Sequence, residues 1–444
     1  MLSKGRVVWP QKAMGKRGRE GEGEGVQGGV GVCRDDLVGA MLAWVEGCGG
    51  DVGRGTVEVR GQPSSASRHK RSKGDSAPAA WVFAARPLAA GTRLARVPSE
   101  CILTSAGCWA SEHGLAVREA ARGLGADAQA ACTPEVLLWL ELLAARVDKA
   151  HRVHAYSASL AWDEAHEPML WPRELLEELD GTDVGAELRR AQEAVQRTHG
   201  SLVPALVRTG ALPAGCCDTW VDLARARGMC TSRGFPGSLQ PGLADGRAVV
   251  MLPLFDLLNH KYGHPIEWVA EEDGSVTFVA RSAVEEGGEV WSNYGARPNE
   301  QLLFSYGFCM PDNPHDVVPV ALRVGEEGET LTFYIRRREA GGIPLDLWKA
   351  LSGAGDSEDD GEGGNALAIG AEEVDVLRSL LERKASRLRA KEGADREALS
   401  DEGLDPRLRS IAAYRQGQRD ILREAIADVV AMMTEGDSLS GDSE

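Results

Sequence analysis

The chain has 444 residues, of which 43% are hydrophobic, and a formal net charge of −17 at pH 7. This length predicts two or three globular domains. The acidic balance argues against a general nucleic-acid binder, which needs a basic face to displace the counterions of phosphate. It favours a basic protein partner, although an acidic surplus also serves plain solubility. No apolar run of about 18 residues is present, so the sequence predicts no membrane span.

The nine cysteines contain no Cys-x-x-Cys pair and their number is odd. This pattern predicts a reduced intracellular compartment and no structural zinc or other metal site. Residues 1–33 are rich in glycine and charge, which predicts a disordered basic tail. That tail lacks the apolar segment of a secretory signal. The expected location is the cytoplasm or nucleus, with a plastid as the alternative.

The next segments predict a helix and short strands. A helix is expected from Asp36 to about residue 50, followed by a strand over residues 56–59. The polar, basic stretch 62–78 is interpreted as an exposed loop insertion, with a nuclear address as the alternative. Strands are then predicted over 81–88 and 92–98, joined by Ala-Ala-Gly as a hairpin-like unit.

Helical periodicity dominates residues 133–227, where Thr133 can cap a helix and Pro134 suits its first turn. Strand character returns afterwards over residues 249–258, 266–270, 276–280 and 289–294. The β material is therefore split by a helical insert, expected over about 108–232.

The C-terminal part predicts a separate, mainly helical domain over residues 311–435, followed by a polar tail at 436–444. Its predicted elements are strands at 317–324 and 330–335, an acidic, Gly-rich loop at 353–365, and helices at 372–391 and 408–433. The apolar stripes of these helices are interpreted as core positions.

Motifs that could carry chemistry lie between Arg233 and Asp316. They read SRGFP, PLFDLLNHK and EVWSNYGARPNEQLLFSYGFCMPDNPHD. In these segments the sequence resembles the SET methyltransferases of the Rubisco large-subunit methyltransferase type. The resemblance extends to WVFAARPLAAGTRLARVP and to IAAYRQGQRDILREAI, and it covers roughly residues 40–433.

The resemblance implies an α+β fold. Residues 34–310 would form a SET domain of short strands with a knot-like crossing, interrupted by the helical insert. Residues 311–435 would then correspond to the helical substrate-binding domain of such proteins.

The resemblance also implies a site for S-adenosylmethionine. Asn259 and His260 would hold its adenosine part, and Arg233 would contact its carboxylate end, which suits an arginine fork. Tyr306 and Phe308 would line the cofactor and the lysine channel. Relatives commonly carry a Gly-rich turn that touches the cofactor, and this chain departs from them there; the corresponding residues are Ala79, Ala80 and Trp81.

Tyr294 is the catalytic candidate and a further cofactor contact. It precedes Gly295, which permits close backbone approach at a strand end. Methyl transfer from a sulfonium to an amine needs in-line alignment, and a positioned hydroxyl can orient both partners. A lysine must first lose its proton, and a narrow apolar channel beside a cation favours that loss.

The sequence thus predicts a protein-lysine N-methyltransferase that acts as a monomer on a non-histone protein, without direct contact to nucleic acid or membrane. No cysteine follows Cys309, which argues against the cysteine cluster of many histone-directed SET enzymes. Two alternatives stay open: a histidine acceptor on the same fold, and a catalytically silent SET-like module that binds a partner protein.

Overall fold

The computed structural model describes residues 34–61, 80–162, 167–241, 243, 248–324, 329–352, 369–389 and 391–440. The predicted tail 1–33, the basic insertion 62–78 and the acidic loop 353–365 therefore lie outside the described residues. Among the predicted site residues, Ala79 also lies outside them.

The strands are short and pair antiparallel. Within the described residues they form two sheets of two strands, β1–β2 and β9–β10, and two sheets of three, β3–β8–β7 and β4–β6–β5. Their bounds are β1 (Val57–Gly61), β2 (Ala80–Ala84), β3 (Arg93–Val97), β4 (Leu103–Thr104), β5 (Gly234–Pro236), β6 (Val249–Met251), β7 (Ile266–Ala270), β8 (Val276–Ala280), β9 (Val317–Val324) and β10 (Glu329–Arg336).

Helices separate β4 from β5 and follow β10. The bounds of those before β9 are α1 (Arg34–Gly47), α2 (Ser105–Ala110), α3 (Glu112–Leu124), α4 (Ala126–Ala131), α5 (Pro134–Val147), α6 (His154–Ser159), α7 (Arg173–Glu178), α8 (Asp183–Thr209), α9 (Trp220–Arg233) and α10 (Asn299–Tyr306). Those after β10 are α11 (Leu345–Ser352), α12 (Ala371–Arg389), α13 (Glu392–Ser400) and α14 (Pro406–Ser440). The predicted α+β class and the division of the β material by helices are confirmed.

Helix α5 shows how local sequence determines where a helix of the insert begins. The Thr133 hydroxyl accepts a hydrogen bond from Val136 N at 3.3 Å, and Pro134 occupies the first turn, as predicted. Most of its following residues are buried, which makes α5 a central helix of the insert. Helical structure also begins earlier than the periodicity indicated, since α2 starts at Ser105.

The predicted hairpin of residues 81–98 is wrong. Strand β2 pairs with β1, whereas β3 pairs with β8 from far along the chain. Isolated bridges also join Phe83 of β2 to Glu289, and Leu88, which lies between β2 and β3, to Val284. These long-range partners outcompete the local turn because they bury the strands against the rest of the sheet system.

Two predicted strands are also interrupted. The segment 249–258 leaves the strand conformation after β6, because Pro253 lacks an N–H and Leu254 has a left-handed φ of 72°. Residues 289–294 pair only through the isolated bridges of Glu289 and Ser292. Both interruptions lie where the candidate site residues occur.

In the part of the chain that the structure describes, the buried apolar residues form two clusters. The first contains residues from Val38 to Cys309 and also Ile411, Ala413 and Tyr414 of α14. The second extends from Val318 to Val429. Helix α14 therefore contributes to both clusters, and it continues to Ser440, beyond the predicted end at 433. The boundary at residues 310/311 stays a prediction.

Candidate active site

The candidate site contains a stack of aromatic rings from three segments. The rings of His260 and Tyr294 lie 4.8 Å apart with an interplanar angle of 22°. On the other side, Tyr294 and Tyr306 lie 4.8 Å apart at 21°. Phe308 also belongs to this group, because its ring centroid lies 6.1 Å from that of Tyr306 and 6.4 Å from that of His260. Residues separated by nearly fifty positions thus meet in one aromatic layer.

Tyr294 is fixed by hydrogen bonds at both ends. Its backbone N–H donates to Nδ1 of His260 at 3.0 Å, and its hydroxyl donates to the carbonyl oxygen of Leu258 at 3.0 Å. Gly295 follows with a φ of 93°, a backbone conformation that favours glycine. Burial raises the pKa of the Tyr294 phenol, with the Tyr306 phenol adding to the effect, so the hydroxyl stays protonated and can donate.

Backbone pairing brings the Asn259–His260 segment beside Tyr294. Ser292 N donates to the carbonyl oxygen of Asn259 at 2.7 Å, and Lys261 N donates to the carbonyl oxygen of Ser292 at 2.9 Å. The Asn259 amide donates to Oε1 of Glu289 at 2.6 Å. The motif segments around residues 259–261 and 289–294 therefore converge in the structure.

The hydrogen bond to His260 and the burial of its ring determine the protonation state of its imidazole. Its Nδ1 accepts the Tyr294 N–H, so the neutral ring carries its proton on Nε2. Burial, assisted by the Arg297 cation, lowers the pKa of His260 to about 4. Arg297 in turn donates from Nε to the carbonyl oxygen of Tyr294 at 2.8 Å. The site therefore holds a neutral histidine near neutral pH.

Arg233 lies at the end of α9 and is paired inside the protein. It donates to the carbonyl oxygen of Asp256 at 2.8 Å, and its guanidinium lies 3.9 Å from the Asp256 carboxylate. The Tyr156 hydroxyl donates to the same carboxylate at 2.8 Å. Burial raises the pKa of Asp256, and the Arg233 charge opposes that rise. Any carboxylate ligand of Arg233 would share the guanidinium with Asp256.

Several buried polar atoms of this region have no hydrogen-bond partner. They are Arg233 Nε, Asp256 Oδ1, His260 Nε2 and Ser292 Oγ. Because burying an unpaired polar group costs free energy, such atoms indicate a place where a bound molecule completes the pairing. Donors and acceptors are both present, which fits a polar zwitterionic ligand such as the predicted S-adenosylmethionine.

Strand β2 contains Ala80 and Trp81, two of the residues that the resemblance aligns with the Gly-rich turn. Ala80 begins the strand, and half-buried Trp81 pairs with Arg60 of β1. Val290 N donates to the carbonyl oxygen of Val82 at 2.8 Å. This strand therefore lies against the segment that leads to Tyr294. Cofactor contact by Ala80 and Trp81 stays a prediction.

Sequence reasoning missed residues that support the site through distant contacts. Tyr156 bonds Asp256 from 100 residues away, and Arg297 and the Leu258 carbonyl hold Tyr294. One signal was available, because Asp256 is a carboxylate within the apolar run PLFDLL. The tyrosine and the backbone carbonyl carry no comparable mark in the sequence.

The described ranges contain neither a metal-binding cluster nor a membrane-spanning helix. Among these residues no group of three or more histidine, cysteine, aspartate or glutamate side chains is arranged to hold a metal ion. Of the helices described, none has the length and apolar character needed to cross a membrane.

Known proteins resemble this chain over short stretches of sequence. It is 42% identical over 77 residues to ribosomal lysine N-methyltransferase set10 of Schizosaccharomyces pombe, covering 17% of this chain and 14% of that protein. It is 35% identical over 113 residues to the actin-histidine N-methyltransferase of Danio rerio, covering 24% and 18%. It is 27% identical over 253 residues to human N-lysine methyltransferase SETD6, covering 54% and 50%. The chain spans at most half the length of these curated relatives.

Solved structures match over most of the chain. The SET domain of LSMT bound to lysine and AdoHcy superimposes with a TM-score of 0.70 at 17% identity, covering 91% of this chain and 93% of that chain. Rubisco LSMT bound to AdoMet gives a TM-score of 0.70 at 18% identity, covering 90% and 93%. No protein-family model matches the chain. The fold is therefore that of Rubisco LSMT, as the resemblance predicted.

Proposed function

We propose that this chain is an S-adenosylmethionine-dependent protein-lysine N-methyltransferase acting on a non-histone protein. The observation that carries the proposal is the Tyr294 hydroxyl, held 3.0 Å from the Leu258 carbonyl oxygen within an aromatic layer and near unpaired buried polar atoms. The relatives named as lysine N-methyltransferases and the LSMT fold support the same activity.

Residues of this chain fit the cofactor in distinct ways. The unpaired His260 Nε2–H and Ser292 hydroxyl can bond its polar groups, and Arg233 can take its carboxylate beside Asp256. Tyr306 and Phe308 present aromatic faces, which tolerate a cation. When bound, the cofactor supplies an electrophilic methyl group on a sulfonium.

Protein groups then orient the acceptor. The Leu258 carbonyl oxygen can accept a hydrogen bond from a substrate amine, and the Tyr294 hydroxyl lies next to it. A lysine brought into this buried layer loses solvation, which lowers its pKa and favours the neutral, nucleophilic form. Catalysis would thus proceed by placement, without a dedicated base.

The acceptor and the partner are parts of the same proposal. A ribosomal or another abundant basic protein is the proposed target, because the set10 relative is named for ribosomal lysine and this chain is acidic. A histidine acceptor is the second candidate, supported by the match to an actin-histidine N-methyltransferase. The proposal further takes the chain as an intracellular monomer, which sedimentation and imaging of the tagged protein can test.

The test is to incubate the purified full chain with methyl-labelled S-adenosylmethionine and a ribosomal protein fraction, then map labelled residues by mass spectrometry. Labelled lysine is the expected result. Labelled histidine would favour the second candidate. Cofactor binding without labelling of any protein, in ribosomal or whole-cell fractions, would overturn the enzyme and leave a silent binding module.

A further inference from the structure

Helix α10, which ends at Tyr306, begins without a cap of its own. Its N-cap residue is Pro298, which has no side-chain acceptor. The first free N–H, that of Asn299, instead donates to Oδ1 of Asp316 at 2.6 Å, across 17 residues of chain. A carboxylate at this end also complements the partial positive charge of the helix N-terminus. Asp316 therefore fixes where α10 starts.

The Asn299 side chain extends this contact to the residues after Phe308. Its amide nitrogen donates to Oδ2 of Asp316 at 2.9 Å and to the Met310 carbonyl oxygen at 2.8 Å. Its Oδ1 accepts from Met310 N at 2.8 Å and from the Asn313 amide at 3.3 Å. Asn299, Asn313 and Asp316 are all almost fully buried. Because every polar position of Asn299 is paired, its geometry is tightly defined.

A second chain of bonds leads from the same cluster to Tyr294. The Asn313 amide donates to the carbonyl oxygen of Arg297 at 2.9 Å. Arg297 donates from Nε to the carbonyl oxygen of Tyr294 at 2.8 Å. The cluster thus holds both the segment before α10, which carries Tyr294, and the segment after it, which carries Phe308.

Helix α14 supports the cluster from behind. A Cβ at Gly417 would lie 2.4 Å from Oδ2 of Asp316, so the carboxylate packs directly on this glycine. Next to it, the Gln418 amide donates to the carbonyl oxygen of Val317 at 2.7 Å. Movement of Asp316 is therefore restricted by the C-terminal helix.

We propose that Asp316, acting through Asn299 and Asn313, is a positioning residue that fixes the Tyr294 loop for methyl transfer. The proposal rests on the proposed function for its activity readout. Asp316 does not touch the reacting groups, but a shift of about 1 Å at Tyr294 would reduce turnover by up to about 100-fold.

The charge state of Asp316 provides a readout that a purely structural role would not give. Burial raises the pKa of Asp316 to about 6, although the hydrogen bonds from Asn299 and the charge of Arg337 act to lower it. Arg337 also faces Asp420 and Glu424, and the Cys309 thiol lies nearby. When pH falls through about 6, the protonated carboxyl can no longer accept both Asn299 bonds.

The experiment compares wild type with Asp316→Asn, which places an amide donor opposite the Asn299 amide. We expect kcat for methyl transfer to fall about 10- to 100-fold, while the Kd for S-adenosylmethionine changes less than about threefold. As pH falls below about 6, the ratio of the wild-type kcat to the variant kcat should approach one. Taking this ratio removes the effect of any titration of the substrate, because that effect is the same for both proteins. Asp312→Asn, an exposed aspartate in the same loop, is the matched control and should match wild type.

Two further measurements keep the proposal falsifiable. If Asp316→Asn does not fold, Asn313→Ala should lower kcat about three- to tenfold by releasing Arg297, and an unchanged kcat would overturn the proposal. If wild type methylates no protein, the proposed function fails, and hydrogen exchange then tests the positioning role. The Tyr294 and Gly295 amides should exchange at least about tenfold faster in the variant. Unchanged exchange would overturn the positioning role whatever the activity.

Discussion

The candidate active site and the junction between the insert and the C-terminal helices differ in how completely their buried carboxylates are paired. At the junction the Asp395 carboxylate of α13 is shared by Arg415 and Arg419 of α14, with Arg415 Nε at 3.0 Å and Arg419 Nη1 at 2.8 Å. Arg415 Nη1 also lies 3.3 Å from the Glu178 carboxylate of α7 in the insert. At the site, atoms of Arg233, Asp256, His260 and Ser292 have no partner. Both oxygens of the Asp395 carboxylate are paired, although the Nε of Arg419 has no partner. A fully paired carboxylate defines a structure, whereas a cluster of unpaired groups indicates a ligand. Asp256 illustrates the contrast, since one of its oxygens is bonded and the other is free.

The largest expected effect comes from the junction. Asp395→Asn should lower the free energy of unfolding by about 3–5 kcal/mol, because buried Arg419 loses its carboxylate partner and buried Arg415 keeps only Glu178. Denaturant unfolding measures this change. Glu397→Gln, an exposed site on the same helix, should change it by less than about 0.5 kcal/mol. A stability equal to wild type in Asp395→Asn would remove the contrast between the regions.

Tyr294→Phe, in contrast to Asp395→Asn, should reduce activity while leaving stability close to that of wild type. Loss of one positioned hydroxyl should lower kcat at least about 100-fold, while cofactor Kd and the unfolding midpoint stay close to wild type. Steady-state kinetics and calorimetric titration measure these quantities, with exposed Tyr334→Phe as the control. An equal loss of cofactor affinity would assign Tyr294 to scaffolding.

A pH-dependent effect is expected within the insert, where Glu141 lies between two histidines. His113 Nδ1 lies 2.7 Å and His151 Nε2 lies 3.3 Å from its oxygens. Burial alone would raise the pKa of Glu141, but bonds from both histidines lower it to about 2. The bond to Glu141 raises the pKa of His113, against the effect of burial.

These shifts define a pH window. A lowered carboxyl pKa stabilises the fold above about 4.5 and is lost as pH falls toward 2; a raised histidine pKa stabilises it below about 6.5 and is lost at higher pH. Glu141→Gln should therefore cost most near pH 5.5, by about 2 kcal/mol, and less at pH 3 or 8.5. Unfolding measured at these three values tests the window, with exposed Glu112→Gln as the control. A cost independent of pH would refute the assignment.

The smallest effect separates two helical glycines. Gly200 of α8 has open space where a Cβ would lie, so Gly200→Ala should raise the free energy of unfolding by about 0.5–1 kcal/mol. Gly417→Ala should show no such gain, because its Cβ would meet the Asp316 carboxylate. Chemical denaturation compares the two. A similar gain in both would show that Asp316 is free to move.

The sequence predicted those parts of the molecule that depend on local pattern or on recognisable motifs. The Thr133 cap, the helical insert and the meeting of His260 with Tyr294 fall in this class. The sequence did not predict the strand pairing of β2 and β3, because β2 pairs with β1 and β3 pairs with β8 instead of with each other. The Tyr156–Asp256 bond was equally hidden, because periodicity carries no information on contacts 100 residues apart.

Helix α14 has a consequence for how the protein can be divided. Ile411 and Tyr414 at its start pack in the core of the first part, whereas Ile421 and Val429 pack in the second. Truncation ahead of this helix would remove Tyr414 from the first buried cluster, so the part of the chain before α14 is expected to be unsuited to expression as an isolated fragment. A single melting transition for the intact chain follows from the same shared helix.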